Sequence, residues 1–412
     1  MRRNTLSLYI HIPFCVKKCN YCDFLSMPAD EKTQRKYVEM LLKEIKQEGT
    51  FYQDYRVNTV FFGGGTPTAL KTDWLIEILK AVRESFCFCN ADGGGSGFRE
   101  AEITIECNPG TVEFEDLCEL RKAGFNRLSI GLQSADNGEL ALLGRIHTWE
   151  TFFKTYENAR KAGFDNINID LMSVLPGQTL LSYQQTLEKV LTLEPEHISA
   201  YSLIIEEGTP FYEIYGEENI DAENPPVNQL PDEETERAMY DLTEKLLMEK
   251  GYFRYEISNY AKKGKECRHN IVYWQRGNYL GLGLGSASLV DNVRFHKEDE
   301  LEFYLKYMGR LKEEETGYEF QQQKYLSGAY QEQNVLSEKE QMEEFMFLGL
   351  RMMDGVKKAD FRQQFQKDMD VQYGKVLQKL EKQGMIKQTQ DTVMLTARGI
   401  DVSNVVLAEF LL

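Results

Sequence analysis

Residues 15–22 read CVKKCNYC, and the apolar segment SLYIHIP at residues 7–13 leads directly into them. Three thiolates this close in sequence can bind one face of an iron–sulfur cube, which needs four ligands in all. The fourth iron would then be open to a chelator from outside the chain. Two alternatives stay open: three inert buried thiols, or a zinc site for which His11 is the one local candidate for a fourth ligand.

The segments around this cluster alternate between strand-like and helix-like patterns. Short apolar runs predict strands, and apolar residues spaced three and four apart predict helices. The predicted strands are 7–13, 57–62, 102–106, 127–131, 166–171 and 197–203, and the predicted helices are 30–48, 74–85, 114–123, 151–162 and 180–193. This alternation predicts an α/β fold with a parallel sheet, either open or closed into a barrel. Such sheets bind ligands at the carboxyl ends of their strands.

The second predicted strand ends in FFGGGTPT at residues 61–68. Glycine lets a backbone approach a ligand closely, so three successive glycines at a strand end indicate a binding loop. A plain tight turn is the alternative. Polar side chains also end or follow the later predicted strands, namely Glu106, Gln133, Arg145 and Asp170. On the same reasoning they are either ligand contacts or structural caps.

Composition and charge narrow the class of protein. The chain has 412 residues, of which 42% are hydrophobic and 31 are glycine, as in a globular protein of two or three domains. The net charge of −17 argues against binding to nucleic-acid backbones. No apolar run reaches the roughly 20 residues that span a bilayer, and the N-terminus does not resemble a secretory signal. We therefore expect a cytoplasmic protein with free thiols, one that could dock transiently at a membrane.

The two motifs together resemble those of the radical S-adenosylmethionine superfamily. The shared features are CxxxCxxC with Tyr21 before the last cysteine, the lead-in YIHIPFC at residues 9–15, and the GGGTP form of the strand-end loop. The resemblance implies a [4Fe–4S] cluster on Cys15, Cys19 and Cys22, with S-adenosyl-L-methionine (SAM) on the fourth iron. Reduction by one electron would then cleave the sulfonium and yield a 5′-deoxyadenosyl radical. The implied fold is a partial (β/α)6 TIM-type barrel.

The resemblance also implies which other residues contact SAM. In this superfamily the glycine loop binds the methionine amino group, carboxylates bond to ribose hydroxyls, and an arginine meets a carboxylate. The matching residues of this sequence are Tyr9, Tyr21, Gly64, Gly65, Thr66, Glu106, Gln133, Arg145 and Asp170. No catalytic acid, base or nucleophile is predicted.

The GGGTP form is typical of the branch that contains the oxygen-independent coproporphyrinogen III oxidases. Those oxidases resemble CxxxCxxCxC and carry an N-terminal extension, whereas here Phe24 stands at the fourth cysteine position and fourteen residues precede Cys15. Residues 268–274 read RHNIVYW, which is similar to the HNxxYW motif of the HemW-type heme chaperones. An imidazole is a good axial ligand of heme iron, and aromatic rings can stack on the macrocycle.

The resemblance therefore predicts a heme site, with His269 as the iron ligand and Cys267 as a weaker candidate. The predicted heme-site residues are His269, Asn270, Tyr273 and Trp274. The glycine-rich loop at residues 281–285 lies nearby in sequence and favours this interpretation. The alternative is that the histidine only forms hydrogen bonds near a core tryptophan.

Three hypotheses for function follow. The first is a heme chaperone that binds the cluster, SAM and heme, and delivers heme to membrane-bound respiratory enzymes or other heme proteins. The second is a coproporphyrinogen III oxidase, and the third is a radical SAM enzyme with another substrate. We expect flavodoxin or ferredoxin as electron donor, and a homodimer is left open.

The predicted domain organisation has three parts. Residues 1–215 form the core barrel, residues 216–335 form an extension that carries HNxxYW, and residues 336–412 form a small winged-helix-like α+β cap.

Overall fold

The fold is described by a computed structural model of residues 5–88, 100–216, 218–219, 226–310 and 330–411. Strands and helices alternate through its first half, as predicted. These elements are β1 (Thr5–Ile12), α1 (Glu31–Gly49), β2 (Arg56–Gly64), α2 (Thr72–Ser85), β3 (Glu102–Cys107), α3 (Phe114–Ala123), β4 (Arg127–Gln133), α4 (Asn137–Leu142), α5 (Trp149–Lys161), β5 (Ile167–Ser173), α6 (Leu180–Leu191) and β6 (His197–Ser202). The helix α4 was not predicted.

The middle of the chain adds short strands to both edges of the same sheet. Its elements are α7 (Pro210–Tyr215), α8 (Glu233–Glu249), β7 (Phe253–Arg254), β8 (Asn259–Ala261), α9 (Arg268–Trp274), β9 (Tyr279–Leu282), β10 (Ala287–Val290), β11 (Val293–Lys297), α10 (Leu301–Arg310) and β12 (Tyr330–Val335). Within the described residues, twelve strands are joined in the order β12-β11-β10-β9-β1-β2-β3-β4-β5-β6-β8-β7. Strands β1 to β6 are parallel, which confirms the predicted α/β fold with a large parallel sheet.

The two faces of the six parallel strands differ in chemistry because successive side chains of a strand point to opposite faces. One face is apolar and packs on the helices in the main hydrophobic core. The other face, here called the polar face, carries mostly polar side chains in register across the strands. They are Ser7, Tyr9, His11, Thr59, Phe61, Glu102, Thr104, Glu106, Arg127, Ser129, Asn168, Asp170, His197 and Ser199. A sheet face so rich in polar groups needs partners for them, so it is the natural place for a ligand.

The C-terminal part of the chain has a hydrophobic core of its own. Its elements are α11 (Glu338–Gly349), β13 (Val356–Lys357), α12 (Lys358–Phe365), α13 (Met369–Lys382), β14 (Ile386–Gln388), β15 (Thr392–Leu395), α14 (Ala397–Asp401) and α15 (Ser403–Ala408). Strands β14 and β15 pair antiparallel and form a hairpin. The exact domain boundaries of the sequence analysis stay predictions.

Ion pairs on a buried carboxylate attach this C-terminal part to the sheet. Glu344 of α11 accepts a hydrogen bond from Arg276, which follows α9, and pairs with Arg294 of β11, each at 2.8 Å. The backbone N–H of Met353 donates to the carbonyl of Tyr255 at 3.0 Å. In the described part of the chain, no helix is long and apolar enough to cross a membrane.

Candidate functional site

The clustered cysteines lie in the loop that follows β1. Backbone hydrogen bonds fix this loop: the N–H of Cys15 donates to the carbonyl of Met27 at 3.1 Å, and the N–H of Asn20 donates to that of Leu143 at 3.0 Å. All three cysteines are half-buried and free of disulfides. Their thiols are therefore held at the carboxyl end of the sheet, where the sequence predicts the site.

The protonation of Cys22 depends on its surroundings. Burial raises the pKa of the Cys22 thiol, and negative charge on Cys19 and Cys15 raises it further. Arg145 approaches from the other side, and its Nη1 donates to Cys19 Sγ at 3.7 Å. Three thiolates at such a spacing repel one another, so iron bound between them would relieve the repulsion.

The spread of the thiols bears on the kind of metal site. Among the residues that the structure describes, no three His, Cys, Asp or Glu side chains are grouped so that they could hold one metal ion. A zinc ion keeps every sulfur ligand about 2.3 Å from a single centre. A cube of four irons instead presents a separate corner to each thiolate, so the three sulfurs need not meet at one centre.

Glycines at the end of β2 bring that strand directly against the cysteine loop. A Cβ atom at Gly65 would lie 2.7 Å from the carbonyl oxygen of Phe14 and 3.0 Å from Cys15 Sγ. At Gly64 the φ angle is +120°, and a Cβ atom would lie 2.6 Å from the His11 ring. Only glycine fits at either position. The glycine motif is therefore more than a tight turn, because it packs the backbone against a predicted cluster ligand.

A hydrogen-bonded chain of side chains runs from the cysteine loop across the ends of the next strands. Thr66 Oγ1 lies 3.4 Å from Cys15 Sγ and accepts from Asn108 Nδ2 at 2.6 Å. Arg145 Nη2 donates to Asn108 Oδ1 at 2.7 Å and to the carbonyl of Gly131 at 2.6 Å. The predicted residues Thr66 and Arg145 are thus brought together. Asn108 was not predicted, although its position directly after β3 was a usable signal.

Two predicted carboxylates face the same space from the polar face. Glu106 Oε2 accepts from the backbone N–H of Gly64 at 3.2 Å, and burial together with the charge of Asp170 raises the pKa of Glu106 to about 8. Asp170 accepts from Ser129 at 3.2 Å and from Asn168 at 2.8 Å, and burial raises its pKa as well. The sequence had suggested that Asp170 lies at the end of its strand. In the structure it lies in the middle of β5.

Buried polar atoms without a partner surround this space. They are Thr104 Oγ1, Gln133 Oε1 and Arg145 Nε. Gln133, the last residue of β4, also has a φ of +68°, a region that non-glycine residues rarely occupy. A buried polar atom with no partner indicates a missing ligand or water. Hydroxyl, amide and guanidinium groups suit the amino-acid and ribose parts of SAM, so these residues fit that cofactor.

The two predicted tyrosines have different surroundings. Tyr9 OH is 3.1 Å from His11 Nδ1, and a Cβ atom at Gly63 would lie 3.1 Å from the Tyr9 ring. Tyr21 packs in a small hydrophobic cluster with Leu143 and Phe211, and burial raises the pKa of its phenol. Tyr9 therefore borders the glycine loop, whereas Tyr21 anchors the cysteine loop in that cluster.

Helix α9 carries HNxxYW and packs against the starts of the same strands. Glu102, the first residue of β3, accepts from the backbone N–H groups of Arg268 at 3.2 Å and His269 at 3.1 Å. A carboxylate is favoured there because the first N–H groups of a helix lack partners and carry positive dipole charge. Cys267 donates to the same carboxylate at 3.7 Å, and burial raises the pKa of its thiol to about 12. Cys267 is thus a buried, protonated thiol.

His269 is buried and both of its ring nitrogens have partners. The Thr59 hydroxyl donates to Ser7 Oγ at 2.7 Å, so it accepts from His269 Nδ1–H at 2.8 Å. Nε2 is then the unprotonated nitrogen, and it accepts from Tyr273 OH at 2.8 Å. Burial and the charge of Arg127 lower the pKa of His269 to about 3, so its ring is neutral. Nε2 has the lone pair that iron needs, but the Tyr273 hydroxyl is bonded to it.

The two predicted sites occupy opposite ends of one polar face. Thr59, beside His269, and Gly63, in the glycine loop, are four residues apart on β2, or about 13 Å at roughly 3.3 Å per residue. Aromatic rings fill the interval, since the Phe61 ring lies 6.3 Å from that of Tyr9 and 5.2 Å from that of His269. The structure therefore brings the predicted SAM and cluster residues together and keeps the HNxxYW motif apart from them.

The remaining parts of the heme prediction have separate surroundings. Asn270 is half-buried in α9. Trp274 ends that helix, and the guanidinium of Arg351 lies 4.4 Å from the centre of its ring. In the glycine-rich loop, the N–H of Gly283 donates to Glu44 of α1 at 3.1 Å. This loop packs on α1, which explains its glycines without a heme contact.

Two parts of the chain match known protein families. Residues 9–190 match the family described as the Radical SAM superfamily, and residues 336–402 match the HemN C-terminal domain. The chain is 33% identical to heme chaperone HemW of Bacillus subtilis over 98% of this chain and 99% of that protein. It is 38% identical to heme chaperone HemW of Escherichia coli over 69% of this chain and 70% of that protein.

A solved structure is similar over almost the whole chain. This structure is the coproporphyrinogen III oxidase HemN of Escherichia coli, described as a radical SAM enzyme. The TM-score is 0.80 at 25% sequence identity, and the match covers 99% of this chain and 90% of the oxidase. The resemblance stated from the motifs is confirmed: the chain belongs to the radical SAM superfamily and, within it, to the HemW family.

Proposed function

We propose that this chain is a heme chaperone that binds a [4Fe–4S] cluster, SAM and heme, and delivers heme to respiratory or other heme proteins. The observation that carries the proposal is the placement of His269, whose buried, neutral ring is hydrogen-bonded to Thr59 on the same polar face that carries the SAM-type residues. The relatives named heme chaperone HemW in Bacillus subtilis and Lactococcus lactis support it over nearly the full chain.

In this proposal the cysteine loop holds the iron–sulfur cluster. Cys15, Cys19 and Cys22 would each bind one iron, and the half-buried loop limits the access of water to them. When bound, the cluster and SAM supply one-electron reductive chemistry. The guanidinium of Arg145 lies at Cys19 Sγ and would stabilise negative charge on the ligand sulfur.

The residues around the glycine loop would orient SAM. The unpartnered Arg145 Nε and Gln133 Oε1 offer a donor and an acceptor. Asp170 and Glu106 would accept from ribose hydroxyls, and Glu106, with a pKa near 8, can also donate while it is protonated. Gly64 and Gly65, with Thr66, bring backbone groups close to the methionine part.

Heme binding would exchange one partner of His269 for iron. The Tyr273 hydroxyl would leave Nε2, and Thr59 would keep its hydrogen bond to Nδ1–H, so the ring would stay oriented with the correct nitrogen free. Phe61 and Tyr273 supply aromatic surface beside the ring, and Asn270 and Trp274 lie on the same helix. A neutral hydrogen bond is a small cost compared with a metal–ligand bond.

The surface around the cysteine loop suits an electron donor. Val16, Phe24 and Ile146 are 62%, 65% and 55% exposed, although they are large and apolar. Lys17 and Lys18 stand among them in a chain that is otherwise strongly acidic. This combination supports docking of an acidic flavodoxin or ferredoxin. A reducing cytoplasm, with transient docking at the membrane of the heme acceptor, is the compartment that we propose.

Oxidation of coproporphyrinogen III is the second candidate function. The similarity of fold to the HemN oxidase over 99% of the chain favours it. Phe24 counts against it, because the oxidases resemble CxxxCxxCxC and this exposed phenylalanine cannot replace a thiol. The HemW relatives match the chain at higher sequence identity than the oxidase does.

Anaerobic purification followed by two assays tests the proposal. We expect iron and sulfide to co-purify, and we expect stoichiometric heme to produce a Soret band that shifts on binding. His269→Ala should weaken heme binding at least tenfold, whereas His296→Ala, on β11 away from the site, should not. Formation of protoporphyrinogen from coproporphyrinogen III with SAM and a reductant would instead establish the oxidase. An unchanged Soret band and affinity in His269→Ala would refute the ligand assignment.

A further inference from the structure

Two buried hydrogen-bond donors meet without acceptors where the C-terminal part contacts α9. They are the indole Nε1–H of Trp274 and the guanidinium Nε–H of Arg351. The guanidinium carbon lies 4.4 Å from the centre of the Trp274 ring. A buried donor without a partner destabilises a fold by about 1–3 kcal/mol. Two of them side by side therefore suggest an acceptor that binds from outside the chain.

Both donors are held in place by backbone contacts on either side. Arg351 lies two residues after the end of α11, and its N–H donates to the carbonyl of Leu348 at 3.1 Å. The next residue, Met352, forms an isolated antiparallel bridge with Glu256, close to β8. Trp274 is the last residue of α9, the helix that begins at the carboxylate of Glu102. The corner is therefore preorganised and is formed by two distant parts of the chain.

The charge of Arg351 is not balanced locally. In the described part of the chain it makes no ion pair within 4.0 Å, and its side chain is half-buried. The carboxylate of Glu256 acts on its charge from a distance, and its Oε1 accepts from the backbone N–H of Ser258 at 3.0 Å and from the side chain of Asn259. Burial lowers the pKa of Arg351 although Glu256 opposes this. An anion at the free edge of the guanidinium would remove the imbalance.

This corner lies on the helix that carries the predicted heme ligand. Trp274 ends α9 five residues after His269. Arg351 contacts the ring of Trp274 from the C-terminal part of the chain. A ligand that reaches from His269 to Trp274 would therefore have the guanidinium at its edge.

We propose that Arg351 and Trp274 form a carboxylate-binding corner that holds a propionate group of the tetrapyrrole. An arginine edge binds a carboxylate through parallel charge-assisted hydrogen bonds, and the indole N–H adds one more. The inference rests on the proposed heme function and adds the residues that recognise the acidic rim of the macrocycle. It also predicts selectivity, because a porphyrin without free carboxylates loses these bonds.

Heme and its dimethyl ester, titrated in the same detergent solution, test this corner. The wild-type chain should bind heme at least tenfold more tightly than the ester, as followed by the Soret band. In Arg351→Met the affinity for heme should fall about tenfold, while that for the ester stays the same. Trp274→Phe keeps an aromatic ring but loses the indole N–H. Its preference for heme over the ester should therefore fall, but by less than in Arg351→Met. Arg362→Met, at an exposed arginine of α12, is the matched control and should behave like the wild type.

The outcomes separate this inference from the proposed function. If the wild-type chain binds neither compound, the heme function itself fails and this corner with it. If the wild type binds heme and Arg351→Met keeps the full preference for the acid, the heme function stands and the corner is refuted. Equal losses for acid and ester in both Arg351→Met and Trp274→Phe would also refute it, because they indicate only a packing role.

Discussion

The hydroxyl of Thr59 accepts a hydrogen bond of 2.8 Å from Nδ1–H of His269, because its own proton is donated to Ser7 Oγ. This single contact determines which nitrogen of a buried, neutral imidazole has a free lone pair. The two residues are 210 positions apart in sequence, so the sheet and α9 must both be folded before the tautomer is fixed. The folded chain thus prepares Nε2 as a ligand before any iron arrives.

Removal of the Thr59 hydroxyl should weaken heme binding. Thr59→Val keeps the shape of the side chain but takes away the acceptor, so Nδ1–H loses its partner and the ring is no longer held in one tautomer. We expect about a tenfold loss of heme affinity in Soret titrations, which is the lower end for loss of a group that orients a metal ligand.

Thr243→Val is the matched control for this substitution. Thr243 is buried in α8, which packs on α6, and its hydroxyl is hydrogen-bonded to that of Tyr183 at 2.8 Å. Its removal should leave heme affinity unchanged. Equal affinities for Thr59→Val and the wild type would show that Thr59 does not orient the ligand.

Removal of the Tyr273 hydroxyl should have the opposite effect. In Tyr273→Phe, Nε2 has no hydrogen bond to give up when iron binds, and the aromatic ring remains in place. A hydrogen bond of this kind contributes about 1 kcal/mol, so heme should bind about fivefold more tightly. The measurement is the same titration, with dissociation by transfer to apomyoglobin as a second readout. Weaker binding would mean that Tyr273 contacts heme directly.

Much of the fold was predictable because its signals are local. The strand-like runs from residue 7 to residue 203 alternate with helical patterns, and this alternation by itself selects a parallel α/β sheet. The cysteine and glycine motifs each belong to one short loop, so their place at the carboxyl ends of β1 and β2 follows from the strand that precedes them. Polar and apolar residues alternate within RLSIG of β4, and this pattern also indicates a polar face. The arginine of this segment was not predicted to belong to that face.

The rest depends on contacts between distant residues, which no local pattern contains. The position of α9 at the starts of β2 and β3 comes from the capping of its N-terminus by Glu102, more than 160 residues earlier. Arg351 was missed for the same reason, since its only signal is its contact with Trp274. Asp170 was expected at a strand end, but the middle of β5 accepts a carboxylate because the polar face supplies Ser129 and Asn168 as donors.

Loss of any one clustered cysteine should abolish the iron–sulfur cluster. Cys15→Ser, Cys19→Ser and Cys22→Ser each leave two thiolates, which cannot hold a cube that already lacks a fourth protein ligand. Iron and sulfide contents and the visible absorbance of anaerobic preparations should fall close to zero. Cys118→Ser, at a half-buried cysteine of α3, should keep both. Full iron and sulfide in a Cys19 variant would contradict the proposed ligand set.

A methyl group at Gly64 should disturb the cysteine loop and SAM binding together. The new Cβ would lie 2.6 Å from the His11 ring at a φ of +120°, so the end of β2 must shift. Gly163→Ala, at a φ of +91° with no atom within 4 Å, has a comparable backbone strain without the contact. We expect SAM affinity, measured by equilibrium dialysis, to fall at least tenfold in Gly64→Ala and to stay unchanged in Gly163→Ala. Equal losses in both variants would point to general destabilisation.

The raised pKa of Glu106 predicts how stability depends on pH in the chain without SAM. Its ordinary value is 4.5, and its value in the folded state is about 8, so the folded state binds the additional proton between these limits. Stability therefore falls as the pH rises from about 4.5 through 8, since the buried carboxylate must ionise beside Asp170. The side chain in Glu106→Gln does not titrate, so the stability of this variant should depend less on pH.

The measurement is the thermal midpoint of both chains at pH 5, 7 and 9. The advantage of Glu106→Gln over the wild type should grow with pH and exceed about 3 °C at pH 9, because 1 kcal/mol moves the midpoint of a domain of 150–250 residues by about 2–4 °C. Glu119 is at an exposed position of α3. The thermal midpoint of Glu119→Gln should therefore differ from that of the wild type by the same amount at every pH. Parallel profiles for Glu106→Gln and the wild type would show that Glu106 is ionised at neutral pH. In that case it could only accept hydrogen bonds from the ribose.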